Sequence, residues 1–165
     1  MTQALAQKIA LPRIPSDATW PDLMETAACE VFQLMVGVNV RQIPAPQSSK
    51  NESMSAIVGM AGRLCAIFRV LCEQSVAVSI GRKMLGEEGP ADLANARDAL
   101  GEICNMVAGN FKAKIDGLAD GCMLSVPTVV AGRDFQVHMV PNGERIEFCF
   151  DYDSSPIWMI LEIRR

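Results

Sequence analysis

Residues 98–115 read DALGEICNMVAGNFKAKI, and the spacing in this stretch predicts a helix with one apolar and one polar face. Its apolar residues recur at the i, i+3, i+4, i+7 spacing that anchors a helix to a core: Leu100, Ile103, Cys104, Val107, Phe111 and Ile115. The opposite face is a narrow stripe, which we call the polar stripe: Asp98, Glu102, Asn105, Gly109 and Lys112. Because the apolar face binds the core, Glu102 and Asn105 are predicted to point outward from adjacent turns, where both can reach one partner.

The segments on either side of this helix predict an α+β fold, with long helices packed on an antiparallel or mixed β-sheet. Helical periodicity, ended by glycine or proline, predicts helices at 21–37, 73–85 and 90–115. Short apolar runs rich in β-branched residues predict strands at 55–60, 65–71, 123–130, 135–140, 146–151 and 157–163. The turn at 61–63 suits a hairpin, and helices followed by antiparallel strands are typical of the α+β class.

The polar stripe has a weaker copy earlier in the chain. At an offset of 72 residues, EVFQLMVG at 30–37 aligns with EICNMVAG at 102–109, which matches the acid, the amide position and the glycine. Two such copies predict a pseudo-twofold internal repeat. Glu30 and Gln33 would form a degenerate second site, because Gln33 is one methylene longer than Asn105 and would lose the near-attack geometry.

Length and charge limit the class of protein. A chain of 165 residues fits one domain, predicted to consist of an N-terminal extension at 1–19 and pseudo-repeat halves at about 20–86 and 87–165. The formal charge is -4, from 15 basic and 19 acidic residues. The sequence has no basic run, and this argues against binding to nucleic acid. No apolar run approaches the roughly 20 residues that a membrane-spanning helix needs, so a soluble protein is predicted.

The cysteines predict a reducing compartment. Six cysteines occur without a C-x-x-C pair, and most lie in apolar runs, as expected of buried thiols in a cytoplasmic protein. Three disulfides in a secreted chain are the alternative. His138 alternates with apolar neighbours and has no companion histidine, so the sequence predicts no metal site.

The polar stripe also fits a longer motif. Asp98, Glu102 and Asn105 are followed by Pro127 within LSVPTVV at 124–130. This pattern resembles the signature of the CheX/CheC/FliY family of chemotaxis phosphatases, which consists of an Asp or Ser, then Glu-x-x-Asn, then a proline about two dozen residues later. The sequence is most similar to the CheX members, because it carries only one full motif. The resemblance covers roughly residues 20–165.

The resemblance implies a function and a partner. It implies hydrolysis of the aspartyl phosphate on a CheY-like receiver domain in chemotaxis or two-component signalling, with Mg²⁺ held by that receiver and no cofactor bound by this chain. Glu102 would pair with the active-site lysine of the receiver, and Asn105 would orient the attacking water. Asp98 would extend the contact surface or brace Glu102. Homodimerisation through an edge strand is also implied, and the apolar terminal strand at 157–163 is the candidate.

Several alternatives remain open on the residues alone. A polar stripe on an amphipathic helix is most often a solvated face. Gly109 leaves room either for the backbone of a partner or for close packing of a second element, Lys112 is either a contact residue or a solvated charge, and Pro127 is interpreted as structural. The alternative function is a non-catalytic module that binds a receiver or forms part of a flagellar switch.

Overall fold

The computed structural model describes residues 19–46, 53–86, 92–133, 135, 137 and 143–164. Within these ranges the helices are α1 (Thr19–Met35), α2 (Gln74–Met84) and α3 (Leu93–Ala113). The strands are β1 (Arg41–Gln42), β2 (Ser53–Gly62), β3 (Ala66–Glu73), β4 (Cys122–Leu124), β5 (Thr128–Gly132), β6 (Glu144–Tyr152) and β7 (Ser155–Ile163). Helices and strands therefore combine as the α+β prediction requires.

The described strands form one sheet in the order β1-β6-β7-β3-β2-β4, and β5 pairs with the same strand, β2, as β4 does. Every pairing among them is antiparallel. The predicted hairpin at 55–71 is confirmed, since β2 and β3 pair with Met60 opposite Ala66. A second hairpin joins β6 to β7 through Asp153 and Ser154, which have φ values of 46° and 65°, as two-residue hairpin turns require.

Helix α3 lies in the middle of the helix layer, in contact with α1, α2 and the sheet. Its N-terminus is capped by Asp92, whose side chain accepts a hydrogen bond from the Asn95 backbone at 2.7 Å. Buried Cys104 fixes the other face of α3 to the sheet, where its Sγ lies 3.4 Å from the Ala56 carbonyl oxygen. Gly81 lets α2 approach closely, since a Cβ there would lie 3.2 Å from the Asn95 carbonyl oxygen.

The core lies between the helices and one face of the sheet. The buried apolar residues of β2 alternate along the strand, as its period requires: Met54, Ala56, Val58 and Met60. Phe32 from α1, Phe111 from α3 and Phe68 from β3 are fully buried in the same cluster. The polar stripe is thus carried by a helix whose inner face is fixed over its whole length.

The cysteines agree with the prediction of reduced thiols. All six are free, four of them are buried, and Cys29 and Cys65 are partly buried. Burial raises the pKa of both Cys72 and Cys104 to about 12, so these thiols stay protonated and serve as core residues. Among the described helices, none has the length and apolar character to span a membrane.

One predicted strand is wrong in detail, because residues 123–130 form two strands rather than one. Ser125 pairs with Gly59 through its backbone N–H (2.8 Å) and its Oγ (2.9 Å), and Thr128 is already opposite Ile57. Val126 and Pro127 therefore lie opposite a single residue of β2, which is a β-bulge. Proline has no N–H for the ladder, and this explains why pairing stops there.

The candidate dimerisation strand is also wrong. β7 lies inside the sheet, paired with β3 on one side and β6 on the other, so it has no free edge. Within the described ranges, the edges are formed by β1 and by β4 with β5. The predictions for 1–18, for Pro90 and for most of the strand at 135–140, including His138, fall outside the described residues.

Candidate functional site

The polar stripe faces outward, as the helical spacing predicts. Asp98 and Glu102 are exposed and Asn105 is half-buried, whereas the intervening Leu100 and Ile103 are fully buried. Helix α3 therefore presents a carboxylate and a carboxamide, three residues apart, at the surface of a rigid element.

The two carboxylates and the carboxamide of the stripe have no partner within the described part of the chain. The side chains of Asp98, Glu102 and Asn105 form no hydrogen bond or ion pair with any part of the chain that the structure describes. A partner that covered the two carboxylates would remove them from water, and this is costly unless the partner supplies a cation. The arrangement is suited to a partner with a positive charge.

The equivalent acid on α1 is in a different state. The Glu30 carboxylate accepts hydrogen bonds from Asn110 Nδ2 at 2.7 Å and from Lys114 Nζ at 2.9 Å. Asn110 lies on α3, and Lys114 is the C-cap residue of that helix. The hydrogen bond from Lys114, followed by that from Asn110, lowers the pKa of Glu30. The predicted second site therefore has an acid that ties α1 to α3, which we call the Glu30 clamp.

An open groove of about 950 Å³ runs between α1 and α3. It is lined by Glu30, Val31, Gln33, Leu34, Asn105, Met106, Gly109, Asn110 and Leu124. The amides of Gln33 and Asn105 thus border one groove rather than two separate sites. Glu102 is outside this lining, one turn nearer the N-terminus of α3.

Gly109 serves the groove by its lack of a side chain. A Cβ at this position would meet only the Leu124 Cδ1 atom, at 3.7 Å, which is an ordinary contact. Among the described residues, no backbone approaches closely enough to require glycine. Of the two interpretations, the structure favours open space above the helix over close packing of a second element.

Pro127 lies beside the helix, next to the site. A Cβ at Gly101 would lie 3.6 Å from the Pro127 ring and 3.4 Å from Val129 Cγ2. The bulge of the β4–β5 edge therefore packs against α3 at the position immediately before Glu102. This supports the structural role expected of Pro127. It also places Gly101, which sequence reasoning did not identify, where the bulge meets the helix, although a Cβ there would make only ordinary contacts.

Lys112 differs from the expectation of a solvated or partner-binding charge. The residue is half-buried, and its Nζ donates to the carbonyl oxygens of Ala119 (2.7 Å) and Cys122 (2.6 Å). The side chain holds the segment between α3 and β4 against the end of the helix. The structure thus gives Lys112 a structural task within the chain.

Two apolar side chains beside the stripe were also not identified from the sequence. Leu34 on α1 is 77 % exposed and Val126 in the bulge is 84 % exposed. Helical spacing gives no signal for Leu34, since it lies three residues after buried Val31 and seven residues after buried Ala27. The exposure of Val126 depends on the bulge, which a reading of 123–130 as one continuous strand misses.

The described residues contain no group of three or more His, Cys, Asp or Glu side chains that could hold a metal ion. The chemistry that the site offers is hydrogen bonding by an amide and ion pairing by carboxylates. Such groups can position a water molecule and a cationic partner, and phosphoryl transfer needs little more than this from a protein whose partner supplies the metal.

Comparison with known proteins agrees with the resemblance carried by the stripe. The family described as Chemotaxis phosphatase CheX matches residues 54–151, which is more than half of the chain. No curated protein matches the sequence.

Solved structures share the fold at low sequence identity. A chemotaxis protein CheX from Desulfovibrio desulfuricans is similar with a TM-score of 0.75 and 20% identity, over 88% of this chain and 99% of that one. The CheX–CheY–BeF3–Mg²⁺ complex from Borrelia burgdorferi gives a TM-score of 0.71 and 21% identity, over 88% and 98%. FliY from Thermotoga maritima gives a TM-score of 0.63 and 15% identity, over 86% and 85%.

Proposed function

The chain belongs to the CheX family of chemotaxis phosphatases, and on this basis we propose that it accelerates hydrolysis of the aspartyl phosphate on a CheY-like receiver domain. The observation that carries the proposal is the state of Glu102 and Asn105. Both lie at the surface of a helix whose inner face is fully buried, and neither side chain has a partner in the described chain. Core packing does not account for such a pair.

In the proposed reaction, the oxygen of a water molecule bonds to phosphorus as the bond between phosphorus and the aspartate oxygen breaks. The products are inorganic phosphate, which carries the protons of the water, and the restored aspartate carboxylate. The Asn105 carboxamide accepts a hydrogen bond from the water and adds no negative charge beside the phosphoryl group. Positioning of this kind supplies most of the acceleration in phosphoryl transfer, so no covalent intermediate on this chain is needed.

Glu102 is proposed to dock the receiver by pairing with its active-site lysine. An exposed carboxylate without a partner loses nothing within its own chain when it forms such a pair, and the pair becomes stronger as water is excluded. Asp98, one turn earlier and also without a described partner, extends the acidic surface toward the same cation. The receiver supplies Mg²⁺, and this chain contributes no cofactor.

The relatives support a receiver as the partner. In the B. burgdorferi structure, a CheX protein forms a complex with CheY in the presence of BeF3 and Mg²⁺. We infer the same class of partner for this chain from its family and from the two free carboxylates of α3.

We also propose that the two halves of the chain are related by a pseudo-twofold internal repeat. β3 and β7 lie at the centre of the sheet, β2 and β6 flank them, and β1 and β4 lie at the edges. Exchanging the two halves, each taken as one helix and its following strands, leaves this order unchanged. The strand order therefore supports a pseudo-twofold relation between α1 with Glu30 and α3 with Glu102.

Homodimerisation is a separate part of the proposal, and it requires an edge other than β7. The edges formed by the described strands are β1, which has two residues, and β4 with β5, which carries the bulge. Sedimentation at high protein concentration tests this part, and a monomer there contradicts it without affecting the proposed activity.

The proposed phosphatase activity is tested by measuring phosphate release from phosphorylated receivers. Each receiver domain of the source organism is phosphorylated, and its hydrolysis is followed with and without the protein. The expected result is acceleration for at least one receiver. If every receiver hydrolyses at its own rate in the presence of the protein, the enzymatic proposal fails; a receiver that binds without acceleration supports the non-catalytic module instead.

A further inference from the structure

We propose that the groove between α1 and α3 is a second docking surface for the phosphorylated receiver, with Leu34 as its apolar anchor and Gln33 at its rim. This inference rests on the proposed function, and it extends the partner's contact from α3 to the helix of the degenerate copy. The residues Glu30 and Gln33 would then serve the same site as Asn105 instead of forming a site of their own.

The groove and the proposed site are continuous. Asn105 is itself part of the groove lining, together with Gln33 and Leu34 of α1. A receiver whose phosphoryl group lies at Asn105 must cover the surface around that side chain. Any other occupant of the groove would obstruct Asn105, so the occupant that agrees with the proposed activity is the receiver.

The character of the lining fits an anchored protein contact. Leu34 is 77 % exposed at one side of the groove, and the half-buried Met106 and Leu124 lie in the same lining. Burying a leucine side chain at a protein interface is favourable, and methionine adapts its shape to the surface that it meets. The polar members, Gln33 and Asn105, supply directional hydrogen bonds around this apolar part.

The two sides of the groove are held at a fixed distance. Glu30 is one turn from Leu34 on α1, and its carboxylate is bound by Asn110 of α3 and by Lys114, the C-cap residue of α3. The same two helices are packed together through the core, where the Trp20 and Phe111 rings lie 5.3 Å apart, so Leu34 is presented to a partner in one position. A preorganised surface binds with less loss of entropy than a mobile one.

The shape of the groove depends on Gly109. A side chain at this position would extend over the groove floor, since its Cβ would already lie 3.7 Å from Leu124 Cδ1. Replacement by leucine would fill the groove while improving the intrinsic helix propensity of α3. Docking and folding are therefore expected to respond in opposite directions to this change.

The test measures binding of receiver domains treated with beryllofluoride and Mg²⁺, in which the beryllofluoride adduct stands in for the phosphoryl group. Leu34→Ala is expected to raise the Kd about tenfold, a change that corresponds to about 1.4 kcal/mol. The matched control is Leu85→Ala, because Leu85 is a leucine at the end of α2 that is 57 % exposed and outside the groove lining. The control is expected to bind like the wild type.

Gly109→Leu gives an independent measurement. It is expected to weaken binding at least tenfold, with a Tm equal to or above that of the wild type. If Leu34→Ala and Gly109→Leu both bind within twofold of the wild type, the groove is not a docking surface. The inference is also overturned if Leu34→Ala and Leu85→Ala weaken binding equally, or if the wild type binds no treated receiver.

The failure of this inference is distinguishable from failure of the proposed function. If the wild type and Leu34→Ala accelerate phosphate release with the same KM, the groove is not a docking surface and the proposed phosphatase activity stands. If receiver binding depends on Leu34 but the wild type does not accelerate phosphate release, the groove is a docking surface and the proposed phosphatase activity is refuted.

Discussion

Glu30 on α1 and Glu102 on α3 occupy corresponding positions in two similar helices, yet their carboxylates are in opposite states. The carboxylate of Glu30 is bound by Asn110 and Lys114, whereas that of Glu102 has no partner in the described part of the chain. The same acid in the same pattern thus ties two helices together in one copy and remains available to a partner in the other.

The reason lies in the residues that each helix offers to the other. At the offset of 72 residues, the positions of Asn110 and Lys114 correspond to Val38 and Gln42, so the first half has no cation at the matching place. Glu102 therefore receives no clamp in return. Whether an acid on a polar stripe is structural or functional depends on its neighbour in space as much as on its own motif.

The comparison is tested most strongly by reversing the charge of each acid. Glu102→Arg is expected to abolish receiver binding, because it places a cation against the proposed lysine; the loss of such a pair costs about 2–5 kcal/mol. Receiver binding by Glu102→Arg and Glu30→Arg is measured by titration. Glu30→Arg is expected to weaken binding much less, because Glu30 borders the proposed docking groove and does not contact the proposed lysine.

Equal losses of binding in the two charge-reversal variants would contradict the distinction between the acids. A stability measurement is needed beside the titration, because Glu30→Arg also places a cation beside Lys114. Glu102→Arg removes no described contact and is expected to unfold at the temperature of the wild type.

The amides give the next largest difference. Asn105→Ala is expected to retain receiver binding and to lower the rate of phosphate release about 100-fold, since the attacking water loses its orienting group. Gln33→Ala is the matched amide deletion and is expected to keep kcat within about twofold at saturating receiver. Single-turnover phosphate release measures both, and an Asn105→Ala variant with the rate of the wild type would remove Asn105 from the proposed reaction.

The sequence predicts the helix that carries this difference better than it predicts the surroundings. The outward placement of Glu102 and Asn105 follows from the spacing of Leu100 and Ile103, because one helix turn determines both faces. The periodicity of α3 can be seen in the sequence of the helix alone. The folded core keeps the same apolar face buried, so the prediction from this periodicity agrees with the structure.

The surroundings depend on contacts between distant segments, which periodicity does not contain. The Glu30 clamp joins residues that are 80 and 84 positions apart. The bulge at Val126 requires knowledge of the strand that pairs with 123–130, and the interior position of β7 requires the complete strand order. Lys112 likewise finds its carbonyl partners only after the segment following α3 has folded back.

The free energy of unfolding gives a smaller, pH-dependent difference between the acids. Glu30→Gln is expected to lose about 0.2–1 kcal/mol at pH 7, the range of an exposed ion pair. Folding lowers the pKa of Glu30 below its usual value of 4.5, so its contribution is present above that pH and disappears as the pH falls through the lowered value. Denaturant unfolding of both proteins between pH 7 and pH 3 measures the effect.

Glu102→Gln is the control for this measurement, because it removes a carboxylate without a described partner. Its free energy of unfolding is expected to stay within about 0.5 kcal/mol of the wild type. A difference between Glu30→Gln and the wild type that stayed constant down to pH 3 would show that the clamp does not depend on the charge of Glu30.

The smallest expected effect comes from restoring the motif in the first copy. Gln33→Asn creates Glu-x-x-Asn on α1, and in an Asn105→Ala background it is expected to recover no acceleration. Side-chain length alone is then not the deficit, because Glu30 is held by Asn110 and Lys114 and cannot dock a receiver lysine. Phosphate release by the double variant decides between these causes: recovered activity would show that the methylene of Gln33, and not the clamp, keeps the first copy silent.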